Sequence, residues 1–215
     1  NDILYGVDAA SVHLVLILCI QYMSFCVCFL YGCAKHQCLN VGSRRQRQVC
    51  RRDSGRTGDF FAFQKHNIRP DIISIAKGMG NGFPIGGVLI DKAIQAKSGM
   101  LGTTFGGNHL ACVAGISVLK VIEKENLLIN ASDLFEYVKE QAAEIPQIKK
   151  IKGRGLMIGL EFDFEIAQLR KELLYKHQIF TGAAANKKLL RILPSLNIKK
   201  EHFDELFKAL KIVLK

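Results

Sequence analysis

Apolar and polar positions follow two different regimes on either side of Gly55. Before it, Leu14 to Cys33 is a run of 20 residues without a formal charge, in which only Gln21 and Ser24 are clearly polar. The run shows little helical or alternating period. It is long enough to span a bilayer, and Lys35 and an arginine cluster behind it would form a cytoplasmic flank. No Lys or Arg precedes it, which makes it a poor secretory signal. The plainer reading is an apolar segment without function.

After Gly55 ordinary strand and helix patterns alternate. Asp71 to Ala76 is a short β-branched run that predicts a buried strand. Gly78, Gly80, Gly82, Gly86 and Gly87 then punctuate a loop before Val88-Leu89-Ile90 resumes extended chain. Leu110, Val113, Ala114, Ser117, Val118, Val121 and Ile122 recur at helical spacing and predict a long amphipathic helix over Asn108 to Glu125. A second helix over Ser132 to Glu144 ends at Pro146.

Ile148 to Lys152 and Leu156 to Phe162 read as a strand pair about Gly153-Arg154-Gly155, followed by a helix over Glu165 to His177. In the next strand, Leu189 to Leu193, a period of two puts Arg191 on the face opposite Leu190 and Ile192. Phe203, Leu206, Phe207, Leu210, Val213 and Leu214 form one stripe of a last helix. A break near Lys120 to Asn130 divides an α/β part from a smaller α+β C-terminal unit, with no internal repeat.

Composition narrows the function classes. With 215 residues, 49% hydrophobic and 23% charged, the chain can bury a core, which excludes a disordered or collagenous polymer. The net charge of +11 is uneven: six basic residues crowd between Arg44 and Arg56, opposed only by Asp53. That cluster could touch phosphate or anionic lipid, but a solvated basic stretch is the favoured reading. It lacks interleaved aromatics and any recognition motif, so nucleic acid is not an expected partner. Six of the seven cysteines precede residue 51, so the remainder reads as a reduced, intracellular protein without a disulfide framework. Cys33, His36 and Cys38 lack paired Cys-x2-Cys spacing, and no metal is expected.

Three stretches could carry chemistry. Lys77 closes the Asp71 to Ala76 strand just before the glycine loop, where burial would depress an ammonium and let it attack a carbonyl as a Schiff-base lysine. A solvated strand-end charge is the alternative. The glycine spacing fits neither a dinucleotide fingerprint nor a P-loop. Gly102-Thr103-Thr104-Phe105-Gly106-Gly107-Asn108 leads into the long helix and offers either an anion seat or an Asn108 N-cap with a tight turn. Arg191, inside an apolar strand, calls for an anion, either a substrate carboxylate or a structural ion pair.

In order and spacing these stretches, with Gly55-Arg56-Thr57-Gly58, Arg69 to Gly87, Gly153-Arg154-Gly155-Leu156-Met157-Ile158-Gly159 and Leu190-Arg191-Ile192-Leu193-Pro194, resemble the class III pyridoxal-phosphate-dependent aminotransferases. The resemblance covers about residues 55–215. It implies an α/β fold class: a fragment of a fold-type I pyridoxal-phosphate-dependent transferase. Residues 55–125 would be the C-terminal part of the cofactor-binding large domain, and 126–215 the small α+β domain. It further implies pyridoxal 5'-phosphate as cofactor, a homodimer with interfacial active sites, and a cytoplasmic or organellar-matrix setting. The substrates would be an amino acid and a 2-oxo acid, with transfer of the terminal amino group of N-acetylornithine to 2-oxoglutarate. Succinylornithine, ornithine or 4-aminobutyrate are alternative donors. Lys77 matches the lysine that holds the cofactor and moves the substrate proton. Thr104, with Thr103 beside it, matches the phosphate-binding position across the dimer interface. Arg191 matches the arginine that takes the substrate carboxylate.

The chain departs from the family in its first quarter. There an Asp-Glu-Val-Gln strand precedes Gly-Arg-Thr-Gly, and its Asp partners the pyridine nitrogen; counting back from Gly55 puts Gln48 at that place. The family's earlier half, with its main phosphate loop and ring-stacking aromatic, has no counterpart in this sequence. Residues 5–54 therefore read as a translated intron, a frame error or a fusion junction, and 1–54 as an aberrant or inserted segment. Impaired catalysis is the expectation. The rival from another class is a membrane-anchored binding protein using Leu14 to Cys33, a membrane role the other motifs disfavour.

Overall fold

The computed structural model describes residues 12–17, 47–49, 55–66, 70–91, 94 and 104–214. By contacts the chain resolves into two compact units, the second comprising Gly55–Ala62 and Ile122–Lys215.

The first unit is built on a four-stranded sheet. Its strands are β1 (Val12–Ile17), β2 (Arg47–Val49), β3 (Ile72–Ile75) and β4 (Gly86–Asp91), in the order β1-β4-β3-β2. β3 and β4 are antiparallel, with Ile73 opposite Leu89, and β2 runs parallel to β3 with Gln48 opposite Ile73. Ile73 and Leu89 are buried, whereas Ile72, Ser74 and Ile75 are only half-buried, so β3 is a half-covered strand and not the fully buried one its composition predicts. β1 pairs antiparallel along the whole of β4, from Val12 opposite Asp91 to Ile17 opposite Gly86. The start of the long apolar run is therefore extended chain, as β-branched Val12, Val15 and Ile17 favour. The rest of that run, Cys33, His36, Cys38 and most of the arginine cluster lie outside the described residues. Among the described residues no helix is long and apolar enough to cross a membrane.

Helix α1 (His109–Lys124) follows, and a turn with Asn126 in left-handed backbone leads into α2 (Leu127–Ala143). α2 starts five residues before the expected Ser132, because Leu127 and Ala131 already supply its buried face. On α1 the buried side is Ala111, Gly115 and Ile122, while Leu110, Val113 and Val121 of the predicted stripe are exposed. The helix is apolar almost all round, so periodicity alone did not select the face. Close approach by the small residues Ala111 and Gly115 did, and a Cβ on Gly115 would lie 3.2 Å from Ile85 Cδ1.

The second unit holds a four-stranded antiparallel sheet under three helices. The strands are β5 (Lys150–Arg154), β6 (Met157–Glu161), β7 (Gly182–Ala183) and β8 (Leu189–Ile192), ordered β5-β6-β8-β7. Helix α3 (Ala167–His177) precedes β7, and α4 (Lys200–Val213) closes the chain. Alternation along β6 and β8 sends Ile158, Leu160, Leu190 and Ile192 into the core. They meet Leu134 and Val138 of α2, Leu169 and Leu173 of α3, and Phe203, Phe207 and Leu210 of α4 in one continuous apolar cluster.

Candidate functional site

Lys77 follows β3 after Ala76 and opens the short 3-10 turn Lys77–Gly80. It is a non-glycine residue in left-handed backbone, with φ of 57°. That conformation costs a β-carbon-bearing residue on the order of 1–3 kcal/mol, and such strain clusters at working sites. Its side chain is exposed, contrary to the burial expected from the sequence. The glycines that follow add no side chain beside it: among the described residues the space a Cβ would fill at Gly78 and Gly82 is open. Among the described residues no carboxylate lies within ion-pair distance of Lys77. Arg69 lies outside the described residues.

Thr104 begins the exposed turn that runs into α1. Asn108 settles one of the two readings of this stretch: its Oδ1 accepts the Ala111 N–H at 2.9 Å, and its carbonyl accepts the Cys112 N–H at 3.1 Å. It is an N-cap. Thr104 is exposed, four residues ahead of the cap. Thr103 lies outside the described residues. The Lys77 turn and this helix pack on each other through Met79, Ile85 and Ala111. The fold thus gathers the lysine and the threonine turn in one unit.

Arg191 belongs to the second unit. The expected alternation holds, since Leu190 and Ile192 are buried and Arg191 is exposed on the other face of β8. No carboxylate pairs with it among the described residues. Across the sheet its row reads Lys152, Gly159, Arg191, Gly182. Lys152 Nζ donates to Glu161 Oε1 at 2.7 Å, and that bond first, with Asn186 Nδ2 at 2.9 Å, holds the Glu161 carboxyl below the usual range.

The Gly55-Arg56-Thr57-Gly58 stretch has a structural task that its spacing did not reveal. The Arg56 carbonyl accepts the Leu156 N–H at 2.8 Å, while its guanidinium donates to the Pro194 carbonyl at 2.5 Å. Arg56 joins two of the sequence blocks, the Gly155 turn and the Pro194 loop, in one knot. Burial pushes its guanidinium below the ordinary value, although such a group stays cationic. Arg154 Nη2 stands 2.9 Å from Asp59 Oδ2, an ion pair without hydrogen-bond alignment. Among the described residues no three metal-ligating side chains cluster.

The sequence profile described as Aminotransferase class-III matches residues 53–214. Acetylornithine aminotransferase from Aquifex aeolicus is 42% identical over 162 residues, which is 74% of this chain and 42% of that protein. The enzyme of the same name from Methanocaldococcus jannaschii is likewise 42% identical, over 73% of this chain and 40% of its own length. Among solved structures, ornithine aminotransferase from Toxoplasma gondii ME49 superposes with a TM-score of 0.67 at 26% identity, covering 77% of this chain and 42% of that one. A Bacillus anthracis aminotransferase gives 0.67 at 27% identity, over 77% and 43%. The chain spans about two fifths of the length of the curated relatives it matches.

Proposed function

Because the chain belongs to the class-III aminotransferase family, we propose that its chemistry is amino-group transfer, from the terminal amine of N-acetylornithine to 2-oxoglutarate in arginine biosynthesis. The fold is a partial fold-type I architecture, and the family is pyridoxal-phosphate dependent. In this reading residues 55–125 belong to the cofactor-binding large domain and 126–215 to the small domain.

The residues present suit two of the cofactor's groups. An exposed amine at Lys77, without a carboxylate partner among the described residues, matches an aldehyde, and the Thr104 hydroxyl before a helix N-terminus matches a phosphate. Bound pyridoxal phosphate would supply an electrophilic carbon for amines and a conjugated ring that takes up electron density. Lys77 Nζ would hold the aldehyde carbon and, once released, move the proton at the substrate carbon that bears the amino group. Thr104 would anchor the phosphate, with Thr103 as its neighbour. Arg191 would orient the substrate by forking onto its carboxylate. At the ring nitrogen the fit fails: Gln48 stands where the family has Asp, and a neutral amide does not retain a pyridinium proton. Weak or absent turnover is therefore part of the proposal. The uncovered apolar residues Leu110, Val113, Ile116 and Val121 on α1 support a further packing surface, either more of a longer protein or the second subunit of a homodimer.

The observation that carries this reading is Lys77: an exposed residue in left-handed backbone at a strand end, with no carboxylate partner among the described residues, which the sequence resemblance matches to the family's cofactor lysine. Pyridoxal phosphate is added, the adduct is reduced with borohydride, and the modified lysine is located by mass spectrometry. Lys77 should be labelled ahead of the many surface lysines, and Lys77→Ala should remove the preferred label. Equal labelling across surface lysines would overturn the assignment. Ornithine as donor is a second reading, favoured by the likeness to the Toxoplasma ornithine aminotransferase. Single-turnover amine transfer from N-acetylornithine against ornithine distinguishes the two.

A further inference from the structure

Arg191 is flanked by glycine on both sides. Gly159 of β6 and Gly182 of β7 are its cross-strand partners, so neither partner puts a side chain beside its stem. Gly182 does not adopt left-handed backbone, and its conformation does not call for glycine. Space does: a Cβ there would lie 2.9 Å from Arg191 Nε and 3.3 Å from both Nη2 and the Arg191 carbonyl oxygen. On the other side, the place of a Gly159 Cβ is taken by Leu189, whose Cδ1 would be 3.0 Å away. The guanidinium thus lies against Gly182.

The two-residue strand that carries Gly182 is held from behind. Arg170 of α3 forks onto the Thr181 carbonyl, Nε at 3.3 Å and Nη2 at 2.9 Å. Thr181 itself is buried, which fixes the depth of the strand. A strand this short has little ladder of its own, so this clamp adds to the β7–β8 pairing that sets Gly182 beside Arg191.

We infer that Gly182 is a positioning residue for carboxylate recognition, acting through Arg191: the bare glycine backbone is the bed on which the guanidinium is aimed. The inference rests on the reading of Arg191 as the substrate-carboxylate arginine. Aim matters because a guanidinium–carboxylate pair gains from two parallel bonds, and a fork rotated off its plane keeps only one. A methyl at 182 would lift Nε and turn the fork, with loss of carboxylate affinity and no loss of charge.

The test uses the whole chain with glutarate and its diamide as probes, read by calorimetry and by the NMR signal of Arg191 Nε–H, which is assigned by its disappearance in Arg191→Ala. Wild type should bind glutarate and Arg191→Ala should not. Gly182→Ala should raise the glutarate Kd roughly tenfold, the worth of one charge-assisted hydrogen bond, with diamide binding and Tm unchanged and the Nε–H signal shifted. Wild-type affinity in Gly182→Ala, alongside lost binding in Arg191→Ala, overturns the inference and leaves the carboxylate reading standing. Equal binding by wild type and Arg191→Ala, or none by either, brings down both. If Gly182→Ala does not fold, the unsubstituted protein decides. A through-space signal from Arg191 Nε–H to the Gly182 α-protons, retained at saturating glutarate, supports the inference, and its absence overturns it.

Discussion

Replacing Gly155 with alanine should pull apart the knot made by the Gly55-Arg56-Thr57-Gly58 stretch and the β5–β6 turn. Gly155 sits in left-handed backbone with φ of 50°, and a Cβ there would lie 2.6 Å from Arg56 O, 2.7 Å from Thr57 C and 2.9 Å from Gly58 N. Those are backbone atoms, which cannot swing aside as a side-chain tip can. The backbone conformation alone costs an alanine about 1–2 kcal/mol. Moving residues 56–58 away also breaks the 2.8 Å bond from the Leu156 N–H to the Arg56 carbonyl, at a residue with no exposed surface. An N–H left unpaired in such a place costs about 1–3 kcal/mol more. Together about 2–5 kcal/mol should be lost from the second unit. Because the two units need not unfold together, hydrogen exchange at the Leu156 amide is the site-specific assay, supported by urea unfolding. A loss no larger than the backbone cost, with Leu156 still fully protected, would refute the reasoning.

Two further substitutions follow from the same packing. Phe207 of α4 is 1% exposed within the apolar cluster of the second unit, so Phe207→Ala should cost about 3–5 kcal/mol in urea unfolding; a loss below 1 kcal/mol would contradict the burial. The Tyr137 phenol is pushed up to about 12, first by the hydrogen bond it donates to Asp204 and then by partial desolvation and nearby carboxylates. A folded value above the unfolded one, near about 10, means its contribution is whole below that pH and is lost as pH rises towards 12. Tyr137→Phe should therefore flatten the alkaline decline of Tm, and an unchanged decline would show that the tyrosine is not its source.

Much of the second unit was legible because one-sided burial leaves a period. The stripe on α4 and the alternation at Leu190, Arg191 and Ile192 are direct records of which face meets the core. β7 was not legible: two residues, one of them glycine, carry no pattern, and the strand exists only because β8 and Arg170 hold it. β1 was hidden differently. Val12–Ile17 merges into a longer uncharged run whose total length suggests a membrane, and only pairing with β4 shows where its first residues go. Residue order alone pointed to Lys77, yet its exposure could not be read, since glycines after a strand mark a loop without telling whether anything fills the space beside it. Arg56 was visible as part of a motif and silent as to purpose, because its bonds reach carbonyls 100 and 138 residues away.

The membership of Gly55–Ala62 in the second unit has a practical consequence for anyone cutting the gene. An expression boundary drawn at residue 122 would discard Phe61, which is 1% exposed, together with the Arg56 carbonyl that receives the Leu156 amide. The excised piece would carry a vacant slot shaped for an eight-residue peptide. Fragment complementation, with a synthetic 55–62 peptide added back in trans, would restore it only to the degree that loop-closure entropy, and not contact chemistry, was what the covalent link supplied.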